Sequence, residues 1–301
     1  MTTSRTWEAF PEDLEATAPR VGPFPHRPFL EALWHHRAGS AAELHIETSP
    51  TGACALVESD GYVSFAGQTN LTDYHAPLGP DGPLAVVAAL ERFPGTPFRL
   101  DSLPAEAATP IVEALEAAGV SATTSDHEIA AVLSLPTSYE DWLTALGKKQ
   151  RHEVRRKRRK FEAEFGAIEI ERHTGDAIDA FCQMHRLSAG DKGEFMTAPM
   201  EAYFAELLES AGASIHLLLC EGVARAAAFG FETPDGYYYY NSAYDPAAAM
   251  ASPGVVLFSA MIETEIERGA LIFDFLKGDE QYKFRHGAEP RQLYVVEGRT
   301  T

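Results

Sequence analysis

The stretch from Tyr237 to Lys283, YYYYNSAYDPAAAMASPGVVLFSAMIETEIERGALIFDFLKGDEQYK, constrains the fold more than any other part of the chain. Its order reads as strand, loop, helix, strand, then a polar turn entering a short helix. Tyr237 to Tyr240 are aromatic and suit a pleated surface. Asp245-Pro246 ends that strand. Ser252-Pro253-Gly254 opens an amphipathic helix to about Arg268, with Ser and Pro at the positions a helix N-terminus favours. Gly269 stops the helix, and Leu271 to Leu276 is a short buried strand. A strand feeding a helix start through small residues offers free backbone N–H groups and the positive end of the helix dipole. The ligand such a place suits is a phosphate or pyrophosphate.

At 301 residues the chain is long enough for two domains, each with its own core. The formal net charge of −19 disfavours non-specific binding to nucleic acid or anionic membrane. No apolar run approaches the 18 or so residues of a spanning helix, and the polar, acidic start does not read as a signal peptide. Cys54, Cys182 and Cys220 are far apart among apolar neighbours, which reads as small buried hydrophobes in a reducing cytoplasm. No His-x-x-x-His or Cys-x-x-Cys occurs, so no metal site is expected. Neither a Gly-x-Ser-x-Gly elbow nor a phosphate loop ending Gly-Lys-Ser/Thr is present.

Residues 1–28 carry several prolines and read as an N-terminal extension. From 29 to 136 the pattern is a short helix, three strands with a hairpin at Asp60-Gly61, a loop over 72–79, a helix, a strand, a helix from Pro110, and a strand from Ser125 to Leu135. From 137 to 301 it is a long helical stretch from Trp142 to Phe165, a strand, two helices, three strands, then the opening stretch and a last strand at Gln292 to Glu297. Helices between strands in both halves imply an α/β fold, with a mixed sheet in each.

Asp73-Tyr74 with Pro77-Leu78, the run Lys148-Lys149-Gln150-Arg151 with Arg155-Arg156, Asn241 to Asp245 followed by Ser252-Pro253-Gly254, and Asp274-Phe275 with Gly278-Asp279-Glu280 and Tyr282-Lys283 stand in a telling order. With them the chain resembles the double-domain acetyltransferases of the GNAT superfamily that are associated with cellulose or exopolysaccharide synthesis, relatives of Fem-type peptidyl transferases. The resemblance covers roughly residues 25–297. It implies two GNAT-like domains in tandem. The 29–136 domain would be a degenerate copy shaping the acceptor side, and the 137–301 domain would hold the acyl donor. It places an acyl-CoA pyrophosphate on Ala249 to Val255, with Ala251, Ser252, Gly254 and Val255 in contact, and pantetheine along Tyr240, Asn241, Ser242 and Ala243. The loop departs from the usual motif: it has Gly254 but no Gly-x-Gly, and Pro253 removes a donor. Fem-type relatives keep the fold and use aminoacyl-tRNA.

Acyl transfer from a thioester needs a neutral amine, close approach and stabilised charge on the oxyanion and leaving thiolate. The resemblance suggests Lys283 for transition-state charge, beside Tyr282 as an acid for the thiolate; a surface lysine next to a packed tyrosine is the plainer alternative. Asp274, Asp279 or Glu280 could accept the amine's proton, and Asp279 could instead cap the next helix. Asp73, Tyr74, Tyr244, Asp245 and His185 are candidates to line the acceptor site, against readings as a turn signal or a structural histidine.

The run KKQRHEVRRKRRKFE, Lys148 to Glu162, stands out in an acidic chain. It reads either as a solvated helix face or as a site for CoA phosphate, an anionic acceptor or a tRNA stem, with Arg155 as the named contact. The expected activity is therefore acyl-CoA-dependent N-acyl transfer, acetyl first, to an amine of a small molecule, sugar or peptide. A Fem-type, tRNA-dependent transferase and a silent binding module are the alternatives.

Overall fold

The computed structural model describes residues 1–37, 39 and 41–300. Its strands are β1 (Thr2–Ser4), β2 (Glu43–Ser49), β3 (Gly52–Ser59), β4 (Tyr62–Phe65), β5 (Pro97–Pro104), β6 (Ala122–Ser134), β7 (Ile168–His173), β8 (Ala213–Cys220), β9 (Val223–Glu232), β10 (Gly236–Tyr244), β11 (Ile272–Lys277) and β12 (Glu289–Arg299). The helices are α1 (Arg27–Arg37), α2 (Gly82–Leu90), α3 (Ala105–Ala117), α4 (Tyr139–Ala145), α5 (Lys148–Phe165), α6 (Ile178–Arg186), α7 (Asp191–Phe195), α8 (Ala198–Ser210), α9 (Pro253–Arg268) and α10 (Gln281–Arg285). Short 3-10 turns occupy Trp7–Ala9 and Pro246–Ala251. The class is mixed α/β, as the alternation of elements implies.

Two compact units form: residues 1–130 with the last strand from Arg291, and Ala131–Pro290. The chain leaves the first unit within β6 and returns within β12. That return follows from pairing, because β12 runs antiparallel to β5 from Leu293↔Pro104 to Arg299↔Pro97.

In the first unit β2, β3 and β4 are an antiparallel meander, and β4 meets β5 in parallel at Val63↔Phe98. The first 28 residues contribute edge strand β1, paired with β2, and bury Trp7, Phe10, Val21 and Phe24. Helix α3 starts at Ala105 and takes Pro110 inside it. The Ala-rich residues before Pro110 are good helix formers, so the proline is carried rather than used as the first residue.

In the second unit the strand order is β11-β10-β9-β8-β7, parallel between β10 and β11 and antiparallel elsewhere. Successive residues of β10 face opposite ways. Tyr239 packs on Phe258 of α9 at 4.9 Å, whereas Tyr240 meets Phe204 of α8 at 5.8 Å. One face thus carries α9 with α5 alongside it, and the other carries α6 and α8. The Ser138 hydroxyl accepts from the Asp141 N–H at 3.1 Å and starts α4, as a serine at a helix N-cap does. The long helical stretch is broken at Leu146-Gly147, where α4 ends and α5 begins. Trp142 of α4 is buried and donates from Nε1 to the His286 carbonyl at 2.9 Å.

Candidate active site

The site grows from one irregularity in β10. Its parallel pairs with β11 run from Gly236↔Ile272 to Tyr238↔Asp274 and stop there, while pairing with β9 continues to Tyr244↔Ala226. Between Tyr239 and Asn241 the register shifts, so Tyr240 is an extra residue. Such a bulge bends its strand and increases the local twist. Beyond Tyr238 the edge of β10 toward β11 is open, and its main-chain groups are available to an extended ligand. Asp274 sits at the fork, fully buried, with Oδ1 accepting from the Leu276 N–H at 2.7 Å.

The chain then makes the 3-10 turn over Pro246–Ala251, capped by Asp245, whose Oδ1 accepts from the Ala247 N–H at 2.9 Å. Asp245 also pairs with Arg225 at 2.9 Å, so its carboxylate is engaged in holding the turn. Ser252 follows with φ of 63°, a left-handed conformation. Ser252 stands at the N-cap of α9, but its hydroxyl makes no cap bond; its carbonyl accepts from the Val255 and Val256 N–H groups at 3.1 and 3.3 Å. Pro253 has no N–H to offer. The Gly254 N–H is left without a partner among the described residues, and a side chain at Gly254 would meet nothing within 4 Å. Ala251 is buried and Ala243 is buried, so both contribute backbone and packing.

Val255, in the first turn of α9, lines a cavity of about 780 Å³ together with Lys148, Lys149, His152, Glu153, Lys157, Tyr282, Arg285 and His286. The basic helix α5 forms one wall. Four of its cations turn out to be engaged locally. Arg155 grips Glu140 at 2.6 and 2.9 Å, Arg156 grips Glu153 at 2.8 Å through two nitrogens, and Arg158 reaches Glu263 at 2.5 Å. Arg151 donates to the carbonyls of Thr144 and Leu146 at the end of α4. Two of the acids that balance this run, Glu140 and Glu263, come from α4 and α9, while Glu153 belongs to α5 itself. Lys160 ties α5 to the Met250 carbonyl at 2.8 Å. Lys148 and Lys149 carry no such partner among the described residues, and they face the cavity.

Tyr282 and Lys283 diverge. Tyr282 stacks on Phe258 at 5.1 Å and is 37 % exposed. Burial of much of the ring, with the Glu280 carboxylate nearby, pushes its phenol up to about 12, so it holds its proton at neutral pH. Lys283 is only 3 % exposed, which overturns the surface-lysine alternative. Its Nζ donates to the carbonyls of Leu276, Lys277 and Gly278 at 3.2, 2.5 and 3.4 Å and lies 3.0 Å from Glu280. Leu276 and Gly278 have φ of 62° and 115°, so the ammonium gathers carbonyls that a sharp turn has drawn together. Asp279 caps nothing: α10 begins behind Glu280, and no side-chain cap bond is made.

Residues 148–284 match the family model described as an acetyltransferase (GNAT) domain. This segment is a GNAT acetyltransferase domain. The whole chain shares its fold with a conserved protein of unknown function from Bacteroides thetaiotaomicron (12% identity, 98% of this chain and 95% of that one, TM-score 0.62). It also matches FemX (12%, 98% and 97%, 0.62) and L-PGS from Bacillus licheniformis (14%, 92% and 93%, 0.60). A search of the curated proteins finds no match.

Within the GNAT domain, α6 brings His185 to β10. His185 is buried, and its Nε2 lies 2.7 Å from Asn241 Oδ1. Tyr240 meets the Tyr203 hydroxyl at 3.2 Å, and its ring packs between Phe229 and Phe231. Tyr244 is half-buried at the end of β10 and packs against the core on the α9 face. Asp73 and Tyr74 belong to the first unit, where Tyr74 is fully buried beside Phe24 with the Arg291 guanidinium 5.2 Å above its ring. That burial makes Tyr74 a core residue rather than a lining one.

Sequence reasoning did not single out Arg285 or His286. His286 is buried, donates from Nδ1 to the Tyr282 carbonyl at 2.7 Å, and is pushed down by burial. The short helix that carries Lys283 was the available signal. His216, Glu232 and Glu265 also converge, with one ligand atom from each within 4.8 Å of the others. Arg172 and Arg268 bind the two carboxylates at 2.7 and 2.6 Å, so the group is balanced as an ion-pair network. All three cysteines are free and buried. No described helix is long and apolar enough to cross a membrane.

Proposed function

We propose that the GNAT domain transfers an acyl group from a phosphate-bearing thioester carrier, acyl-CoA in the first place, to an amine by direct attack. The observation that supports this most is the cavity in which Val255 at the start of α9, the free lysines of α5 and the Tyr282 ring share one wall-to-wall space. A carrier's phosphates are attracted by Lys148, Lys149 and Arg285, and the unpartnered Gly254 N–H adds a donor at the positive end of α9. Its extended arm would pair with the open edge of β10. The thioester then lies beside the fork, near Tyr282.

In the transfer step the amine nitrogen bonds to the thioester carbon and the carbon–sulfur bond breaks. The departing sulfur takes a proton from the Tyr282 hydroxyl, which burial keeps protonated. Glu280, the exposed carboxylate of the same turn, accepts the proton the amine loses, directly or through water. Lys283 holds the turn that carries both groups. Calorimetric titration with acetyl-CoA tests this reading: saturable binding below millimolar is expected, and none at millimolar ligand with the fold intact would overturn it.

A second donor is favoured by the fold shared over nearly the whole chain with FemX: an aminoacyl-tRNA. Affinity for tRNA that falls steeply with salt, and that is lost on reversing Lys148 and Lys149, would choose it over CoA.

A further inference from the structure

Asn241 was expected on the donor side, with the pantetheine arm, but its side chain points the other way. Its Oδ1 is doubly engaged, accepting from its neighbour's main-chain N–H at Ser242 (2.6 Å) and meeting His185 Nε2 at 2.7 Å. An amide oxygen only accepts, so His185 donates from Nε2. The Ser242 N–H, which can only donate, settles which end of the amide is oxygen, an assignment that hydrogen bonding must make. The NH2 end is therefore fixed in direction. It makes no hydrogen bond among the described residues, and it is not among the sealed polar atoms of the molecule. Asn241 stands immediately after the bulge, on the face of β10 that carries α6 and not α9. His185 is itself held between Phe181 and Phe195, at 4.9 and 5.9 Å.

We infer that Asn241 recognises the acceptor, its NH2 donating to an oxygen (carbonyl, hydroxyl or carboxylate) close to the nucleophilic amine, and that His185 is a positioning residue that aims it. The inference rests on the transferase reading above. A side-chain amide whose oxygen is saturated by two donors and whose NH2 alone reaches outward selects for hydrogen-bond acceptors. A ligand lacking such an oxygen leaves that donor unpaired, which is how polar pockets reject analogues.

The test uses the full chain, acetyl-CoA and a panel of amines: glucosamine, glycinamide, alanine, lysine and, as the member without an oxygen, butylamine. Asn241→Asp keeps the acceptor for His185 but replaces the NH2 with an oxygen. Expected are an acceptor KM raised at least tenfold, an acetyl-CoA Kd within twofold of wild type, and no transfer to butylamine by the wild type. His185→Phe, which preserves the aromatic packing, should raise the acceptor KM severalfold; His185→Gln, which restores a donor, should recover most of it. An unchanged acceptor KM in Asn241→Asp, or an equal loss of acetyl-CoA affinity, would overturn the inference while leaving the transferase reading in place. Absence of transfer by the wild type to every amine, together with absence of acetyl-CoA binding, would remove that reading and the inference with it. Should Asn241→Asp fail to fold, the His185 pair decides by the same KM split.

Discussion

Tyr282 and Lys283 are neighbours in sequence with opposite surroundings, and their substitutions should separate accordingly. Tyr282→Phe keeps the ring stacked on Phe258 and removes only the hydroxyl that gives the proton. We expect kcat to fall about 100-fold, with donor binding and stability unchanged, as steady-state kinetics and calorimetry would show. Lys283→Met leaves three carbonyls of a tight turn without their shared donor. Unfolding in urea should show a loss of about 2 kcal/mol or more, since hydrogen bonds to a buried charge are the strong kind. Stability unaltered in that variant would mean the ammonium is not the clamp described. Sequence could place both residues in a polar turn. It could not show that one faces inward, because a five-residue helix is too short to display a period.

At the scale of elements, α5 divides into cations that are paired and cations that are not. Reversing Lys148 and Lys149 together should weaken donor binding at least tenfold, whereas Arg155→Glu should leave it nearly unchanged, because Arg155 is bound to Glu140. Exposed pairs of that kind contribute about 1 kcal/mol or less to stability. Gly254→Ala places a methyl group in open space within a helix, so a gain of roughly 0.5 kcal/mol in stability is expected. Weaker acetyl-CoA binding in the same variant would report how closely the carrier approaches that amide. The strand–helix–strand frame around this site was legible to within a few residues. Its aromatic run, Ser-Pro-Gly start and Gly269 stop are local signals, and Gly269 does take a left-handed φ of 82°. The 3-10 turn over Pro246–Ala251 was not legible: it is made by Asp245 capping a run of small residues with no hydrophobic period. Nor were the acids opposing α5, since Glu140 and Glu263 come close only once α4, α5 and α9 have packed.

At the scale of the whole molecule, three histidines and Glu232 make acid destabilising, while Glu265, whose carboxyl is raised by burial, works the other way. His26, His45 and His286 are all held below their ordinary range, chiefly by burial. The unfolded chain therefore binds protons first as pH drops through about 6.5, and stability present above that value is lost below it. Glu232 is lowered to about 2, first by its hydrogen bond from His216. Its contribution is present above the ordinary carboxylate range near pH 4.5 and disappears as pH falls toward 2. Urea midpoints measured from pH 8 to pH 2 should decline in this order, and His286→Gln should flatten the first part of the decline. The mixed α/β class was readable from the alternation of elements, while the return of β12 to pair with β5 was not, because its partner is set by the fold and not by neighbouring residues. The strand that parts from its neighbour after Tyr238 has one more implication. A bare β-edge will pair with whatever extended segment arrives, including another copy of itself. A cell that keeps this protein charged with its carrier would also be guarding it against clumping, and purified, ligand-free stocks should be the ones that cloud on standing.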